Sequence, residues 1–272
     1  MSAARWWMII RMPILALFIA YVALVIAAPF LAQAMLYHPQ LGSRRAPEGL
    51  RKVRGADGHD VAVWHLPNPS ARFTMWVFHG NAEDLGDLEP WLRQLHAAGY
   101  AVFAFDYPGY GHSGGRTVEA SLYAAARVAR AYLRDVLRVS PAQTLLYGRS
   151  LGSGPAVQMA TEERVGGLIV QSGFMSAFRV MTRWPLLPFD QFTNLNKMPG
   201  VQCPVLVMHG QADEVIPFRH GEALFRAAPN PKLKFWVPGA GHNNFLESAG
   251  DGYWNALREF SALGAKSGGA SR

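Results

Sequence analysis

Three residues of this chain have the types, the order and the glycine-rich surroundings that acyl transfer requires: Ser150, Asp213 and His242. The serine lies in Gly148-Arg149-Ser150-Leu151-Gly152, which reads G-x-S-x-G. That pentapeptide serves a sharp turn from strand to helix that lifts a serine hydroxyl above a sheet. The flanking glycines keep the neighbouring chain out of the crowded turn. Residues 144–147 read as a strand leading in, and residues 153–157 open a helix with small side chains. Motif and context therefore agree.

A second pentapeptide tests that logic. Gly111-His112-Ser113-Gly114-Gly115 matches the same pattern. Pro108 and Gly109 separate this serine from the strand before it, and Gly-Gly-Arg follows it instead of a helix. No elbow is expected there, and Ser113 reads as a loop residue. Gly109, Gly111 and Gly114 also spell G-x-G-x-x-G, a dinucleotide fingerprint. The fingerprint needs a helix that begins within the glycines and an acid at the end of the next strand. Here the helix is expected only near Val118, and the next strand ends at Tyr147 before Gly148 and Arg149. Nucleotide binding is the weaker reading.

In nucleophile-elbow folds the order is serine, acid, histidine. Only His209, His220 and His242 follow Ser150. His242 closes Gly239-Ala240-Gly241-His242, in a loop just past the last expected strand. Loops at the carboxyl ends of strands are where sites form in open α/β sheets. His209 precedes the acid candidates, and His220 falls in an expected helix as a solvated residue. Asp213 follows the strand at 205–208 and is preferred to Glu214 as the acid. Its competing role is a turn or helix cap. Two backbone N–H groups should meet a developing oxyanion. Leu151, directly after the nucleophile, supplies one. Asn81, in His79-Gly80-Asn81-Ala82 after a strand, supplies the other, unless that segment is an ordinary strand-end turn.

These residues need a scaffold of strands ending where the site begins. Apolar runs at 61–66, 73–78, 101–105, 144–147, 167–171, 205–208 and 233–237 read as strands. The first follows an Asp57-Gly58 turn, as the return strand of a hairpin. Helical patterns occupy 88–98, 118–137, 155–162, 218–227 and 253–263. Nearly continuous apolar strands alternating with helices predict a doubly wound α/β domain with a largely parallel sheet.

The N-terminus is different. Residues 12–31 carry no charge over twenty positions, about 30 Å of helix and the thickness of a bilayer's hydrocarbon core. Trp6, Trp7 and Tyr37 are placed to sit at headgroup level. A cleaved signal peptide is the rival, with Arg5 and Arg11 as its basic region and Ala32-Gln33-Ala34 as a small-x-small site. The length of the apolar run favours a retained single-pass anchor. Arginines on both sides of it leave the side of the membrane open. The net charge is +7, and Arg44, Arg45, Arg51, Lys52 and Arg54 cluster after the span. Such a cluster suits anionic headgroups, and no nucleic-acid module accompanies it. Cys203 is the only cysteine, so no intrachain disulfide forms.

The expected organisation is an anchor (or uncleaved signal sequence) at 1–36, an α/β domain at 37–264, and a tail that loosens from Gly264 and is disordered at 265–272. Residues 38–50 read as a linker. Met181, Trp184, Leu186, Leu187 and Phe189 give the segment near 174–198 the character of a short apolar lid, over an acyl pocket or simply packed on the core.

HGNAEDLG (79–86), DYPGYGHSGG (106–115), GRSLGSGPA (148–156), PVLVMHGQADEVIP (204–217) and GAGHNN (239–244) together resemble the BEM46 branch of the α/β hydrolases, which includes the ABHD13 and ABHD17 types. The likeness runs from about Tyr37 to Leu263. It implies an eight-stranded, mostly parallel sheet with helices on both faces. It also implies Ser150, Asp213 and His242 as the triad, no metal or organic cofactor, and often an N-terminal membrane segment. Some members are protein depalmitoylases with an N-terminal cysteine cluster, which this chain lacks. The expected activity is hydrolysis of a small-molecule or lipid acyl ester or thioester through an acyl-enzyme. A serine peptidase or amidase of the same fold, and a non-catalytic membrane-tethered binding module, are the alternatives. Oligomeric state is not legible.

Overall fold

The computed structural model describes residues 3–182, 184 and 187–269. Leu186, expected in the lid, lies outside the described residues, as do residues 270–272 of the expected tail and the side chains of Trp6, Trp7 and residues 32–34.

Eight strands form one sheet: β1 (Arg51–Arg54), β2 (Asp60–Leu66), β3 (Thr74–Phe78), β4 (Ala101–Phe105), β5 (Thr144–Arg149), β6 (Gly167–Gln171), β7 (Val205–Gly210) and β8 (Lys232–Val237). Their spatial order is β1-β2-β4-β3-β5-β6-β7-β8. β1 and β2 form the antiparallel hairpin, β2 pairs antiparallel with β4, and every later pairing is parallel. β3, β4, β6 and β7 are buried at every position, as strands covered on both faces must be.

The helices are α1 (Ala3–Leu36), α2 (Leu85–Ala97), α3 (Glu119–Ala131), α4 (Ser153–Glu162), α5 (Ala177–Met181), α6 (Asn194–Lys197), α7 (Arg219–Ala227), α8 (Phe245–Ala249) and α9 (Asp251–Gly269). One core joins α3, α4 and α7 to a sheet face through Leu122, Ala156 and Leu224. The other joins α2 and α9 to the opposite face through Leu92, Leu257 and Phe260. Trp76, Phe78 and Phe105 form a ring cluster in the first core, Trp76 and Phe78 with centroids 4.7 Å apart. Each such buried ring contributes about 1.5–3 kcal/mol.

Several sequence expectations change. The helical run expected at 118–137 is continuous over 119–136 but changes pitch: α3 ends at Ala131, and residues Tyr132–Val136 continue it as a wider π turn. Residues 38–50 are not a free linker. Ser43 Oγ donates to Asp84 Oδ1 (3.0 Å), the Arg44 N–H donates to Asp84 Oδ2 (2.6 Å), and Arg45 donates to the Gly86 carbonyl (2.8 Å). Asp84 is also the N-cap of α2, so one carboxylate fixes both segments. The tail expected to be disordered from Gly264 continues α9 to Gly269. Gly264 is a packing contact, because a Cβ there would lie 2.8 Å from the Gly166 carbonyl oxygen. His220, expected in solvent, is fully buried. It accepts the Met175 N–H at Nδ1 (3.1 Å), bridging α7 to the segment after β6.

α1 stands apart from both cores over most of its length. Residues Arg11–Ala28 have a mean hydropathy of 2.2 and are almost entirely exposed. Ile14, Leu17, Phe18 and Ile26 project into the surroundings. The helix is long and apolar enough to cross a bilayer.

Candidate active site

β5 ends at Arg149, a single 3-10 turn follows at Ser150–Gly152, and α4 begins at Ser153. Ser150 sits at the sharpest point with φ +51°, a left-handed conformation that costs a non-glycine residue about 1–3 kcal/mol. The surroundings enforce it. A Cβ on Gly152 would lie 2.1 Å from the Phe78 carbonyl oxygen, and one on Gly148 would lie 2.7 Å from the Gly152 carbonyl oxygen. Strand and helix approach so closely that only glycine fits at either side. Ser153 Oγ donates to the Ser150 carbonyl (2.7 Å) and holds the turn.

β7 and β8 are parallel neighbours, so the loops after them rise at the same edge of the sheet as the turn after β5. Asp213 comes from the first loop and His242 from the second. His242 Nε2 lies 3.0 Å from Ser150 Oγ, and His242 Nδ1 lies 2.8 Å from Asp213 Oδ2. The Asp213 Oδ1 accepts the N–H groups of Val215 (3.0 Å) and Ile216 (2.7 Å). Burial works to raise the Asp213 carboxyl, but the His242 hydrogen bond and charge, the Ile216 amide and His209 outweigh it, holding the group below its ordinary value. Asp213 is thus ionised and aimed at a histidine that is aimed at a serine. The three residues singled out in the sequence are brought together.

Asn81 follows β3, and it lines one cavity with Ser150 and Leu151. Its side chain is pinned: Oδ1 accepts the Tyr110 hydroxyl (2.8 Å) and the His38 N–H (3.0 Å). Below it, the Tyr107 hydroxyl donates to the His79 carbonyl (2.8 Å), and the two rings stack with centroids 3.9 Å apart. Buried Asp106 accepts the N–H groups of Leu85 (2.9 Å) and His112 (3.1 Å), tying this loop to the Ser113 loop. Ser113 itself is consumed by structure. Its Oγ donates to the Asp106 carbonyl (2.7 Å) and accepts the Ala62 N–H (2.8 Å).

Sequence reasoning missed several supports. His209 Nε2 donates to the Ile216 carbonyl (2.8 Å) and lies 3.5 Å from Asp213 Oδ2, the oxygen that also faces His242. Burial pushes its pKa down, so it stands neutral beside the acid. Arg149 pairs with Glu83 and lies over the Trp91 ring, at 5.6 Å from its centroid. His38 and Tyr110 gave no sequence signal, since both act on a residue more than 25 positions away.

Two cavities meet at Ser150. One, of about 400 Å³, has mixed walls, with Glu83, Arg149, His242 and Asn243 beside Val215, Phe245 and Leu246. The other, of about 430 Å³, is apolar and is walled by Phe174, Val180, Met181, Leu187 and Ile216 together with Leu24 and Ala28 of α1. Among the described residues, no three His, Cys, Asp or Glu side chains are grouped to hold a metal ion.

A sheet of this order, with a strained serine at the β5–α4 turn and a histidine and aspartate rising beside it, defines an α/β hydrolase of the serine type. A family model described as serine aminopeptidase, S33, matches residues 69–195. The human α/β-hydrolase domain-containing protein 17B is 37% identical over 212 residues, covering 76% of this chain and 73% of that protein. The chain belongs to this α/β-hydrolase domain-containing protein 17 family. The domain-containing protein aho-3 of Caenorhabditis elegans is 39% identical over 200 residues, which is 71% of this chain and 59% of the worm protein. In fold the chain is similar to an esterase from Pyrococcus furiosus, with TM-score 0.66 and 17% identity over 78% of this chain and 90% of that one. It is likewise similar to the monoacylglycerol lipase of Paleococcus ferrophilus, with TM-score 0.60 and 19% identity over 75% of this chain and 99% of the lipase.

Proposed function

We propose that this protein is a membrane-anchored serine hydrolase that cleaves an acyl ester or thioester through a covalent acyl-enzyme, with Ser150 as nucleophile, His242 as general base and Asp213 as the orienting acid. The observation that carries the reading is the unbroken relay from Ser150 Oγ through the His242 ring to Asp213, at 3.0 and 2.8 Å.

The chemistry follows from those contacts. His242 Nε2 takes the Ser150 hydroxyl proton as Oγ bonds to the carbonyl carbon. Asp213 accepts from Nδ1–H, fixes the tautomer and stabilises the imidazolium. The backbone N–H groups of Asn81 and Leu151 are assigned to the oxyanion, where each donor lowers the barrier by about 3–4 kcal/mol. His242 then gives its proton to the departing alcohol or thiol oxygen or sulfur as that bond breaks. Water gives a proton to the same nitrogen as its oxygen bonds to the acyl carbon; the bond to Oγ then breaks, His242 returns the proton to Ser150 Oγ, and the acid product leaves.

The two cavities divide the substrate. An apolar acyl chain suits the cavity walled by Phe174, Val180 and Ile216, and a polar leaving group suits the one walled by Arg149, Glu83 and Asn243. The exposed apolar surface of Arg11–Ala28 supports an anchor, because a patch of that size in water is rare outside interaction and membrane sites. The description of the matching family model favours an amide-cleaving enzyme as the second reading.

The test is labelling of the detergent-solubilised chain with a fluorescent fluorophosphonate, beside Ser150→Ala and Ser113→Ala. Labelling lost only in Ser150→Ala is expected. A folded wild type that takes no label would overturn the reading in favour of a binding module. Faster turnover of p-nitroanilides than of matched p-nitrophenyl esters would favour the amidase.

A further inference from the structure

We infer that α1 forms a wall of the acyl-binding site as well as the anchor, so that the acyl chain hydrolysed is one that lies in the bilayer and reaches Ser150 along this helix. The inference rests on the acyl-hydrolase reading above and deepens it.

The apolar cavity starts at Ser150, Asn81 and Leu151 and continues to Leu24, Ala28 and Leu36. Leu24 and Ala28 are one helical turn apart and share a face. Both lie within Arg11–Ala28, the stretch apolar enough to cross a bilayer. The helix axis from Leu24 to Leu36 is about 18 Å long at 1.5 Å per residue. An acetyl group would use almost none of that wall, whereas a long acyl chain would follow it.

Two sets of contacts set the position of α1 against Ser150. Tyr37, directly after the helix, is buried in the main core, packs edge-on against Phe192 at 6.4 Å, and donates its hydroxyl to Gln191 (3.0 Å). His38 donates its N–H to Asn81 Oδ1 (3.0 Å). One contact reaches the segment between β6 and β7, and the other reaches the residue assigned to the oxyanion. The faces of the helix differ accordingly. Ala28 is 6% exposed, whereas Ile26, two residues away, is 63% exposed. Met181 of the β6–β7 segment lines the same cavity and is 71% exposed, and Leu24 on the α1 wall is 45% exposed. The mouth of the groove is therefore rimmed on both sides by large apolar side chains, which favours a membrane over water as the source of the ligand.

The experiment compares kcat/KM for hexadecanoyl and butanoyl esters of p-nitrophenol, using the full chain in mixed micelles. The variants are Ala28→Trp, Leu24→Trp and Ile26→Trp, and fluorophosphonate labelling reports an intact nucleophile. Tryptophan at 28 or 24 fills the groove from its α1 wall. Excluding two or more methylenes lowers the long-to-short ratio by about tenfold or more. Ile26→Trp, on the outward face, leaves the ratio unchanged. Leu24→Trp carries the test if the buried Ala28 site does not accept the larger ring. An unchanged ratio in a variant that labels normally overturns the inference, as does an equal drop in Ile26→Trp. A wild type that neither labels nor hydrolyses either ester instead defeats the hydrolase reading beneath it.

Discussion

Ser150 and Ser113 occupy the same pentapeptide pattern in one chain, and the structure gives them opposite fates. Ser150 turns at φ +51°, and among the described residues its Oγ hydrogen-bonds to His242. The Ser113 hydroxyl gives its proton to one backbone carbonyl and takes one from a backbone amide, leaving nothing to offer a substrate. Both turns need glycine, though for different reasons. Gly152 is pressed against the carbonyl of Phe78 where strand and helix meet, whereas Gly115, at φ +86°, serves the path of a loop. A serine becomes reactive when the chain spends strain to keep its hydroxyl unpaired with backbone. It becomes structural when a loop folds over it.

That contrast can be broken most directly by alanine. Ser150→Ala should lower turnover on p-nitrophenyl esters on the order of a millionfold, while Ser113→Ala keeps wild-type turnover. Comparable losses in the two would erase the distinction. Next in size, Asp213→Asn should cost about 10⁴-fold in kcat, because the amide no longer enforces the correct tautomer of His242.

Acid probes the buried support that α7 gives to the segment after β6. Burial pushes His220 down to about 4, below its ordinary value of 6.5. Between those values the unfolded chain binds the proton that the folded chain refuses. Stability is therefore full above pH 6.5 and is lost as pH falls toward 4, by on the order of 3 kcal/mol. Urea unfolding midpoints at pH 7.5 and pH 5 measure this, and His220→Gln should flatten the difference.

The glycines separate the turns by a smaller margin. Gly152→Ala should destabilise by about 1–3 kcal/mol, with a loss of fluorophosphonate labelling, since a Cβ there meets the Phe78 carbonyl at 2.1 Å. Gly114→Ala, whose Cβ would meet nothing nearer than 3.6 Å, should stay within about 0.5 kcal/mol. Finally, Ser113→Ala should lower stability by about 1–3 kcal/mol in thermal unfolding, by orphaning the Ala62 amide and the Asp106 carbonyl.

The elements that position the site were legible because their signals are local. β4 and β6 match their apolar runs to the residue, and the motif glycines mark the β5 turn. Asp213 and His242 could be chosen because chain order and strand ends restrict the options. Other features depend on partners distant in sequence, which periodicity does not report. Residues 38–50 look like a linker until Asp84, some 40 positions away, binds Ser43 and Arg44. His220 looks solvated until Met175 meets it from another segment. Gly264 looks like the start of a loose tail until Gly166 requires the absence of a side chain.

The hydrogen bond from the His38 backbone to Asn81 also bears on how the molecule may be rebuilt. A tether and a catalytic body are commonly handled as interchangeable cassettes, joined wherever the linker is convenient. Here the seam runs through Tyr37 and His38, which belong to both. A fusion that replaces everything before residue 39 with another membrane helix would remove the buried Tyr37 ring and could retain the partner of Asn81 only by restoring backbone in the same place. Exchange upstream of Leu24 keeps Leu24, Ala28 and Leu36 on the groove, and that is where a graft of this protein should be cut.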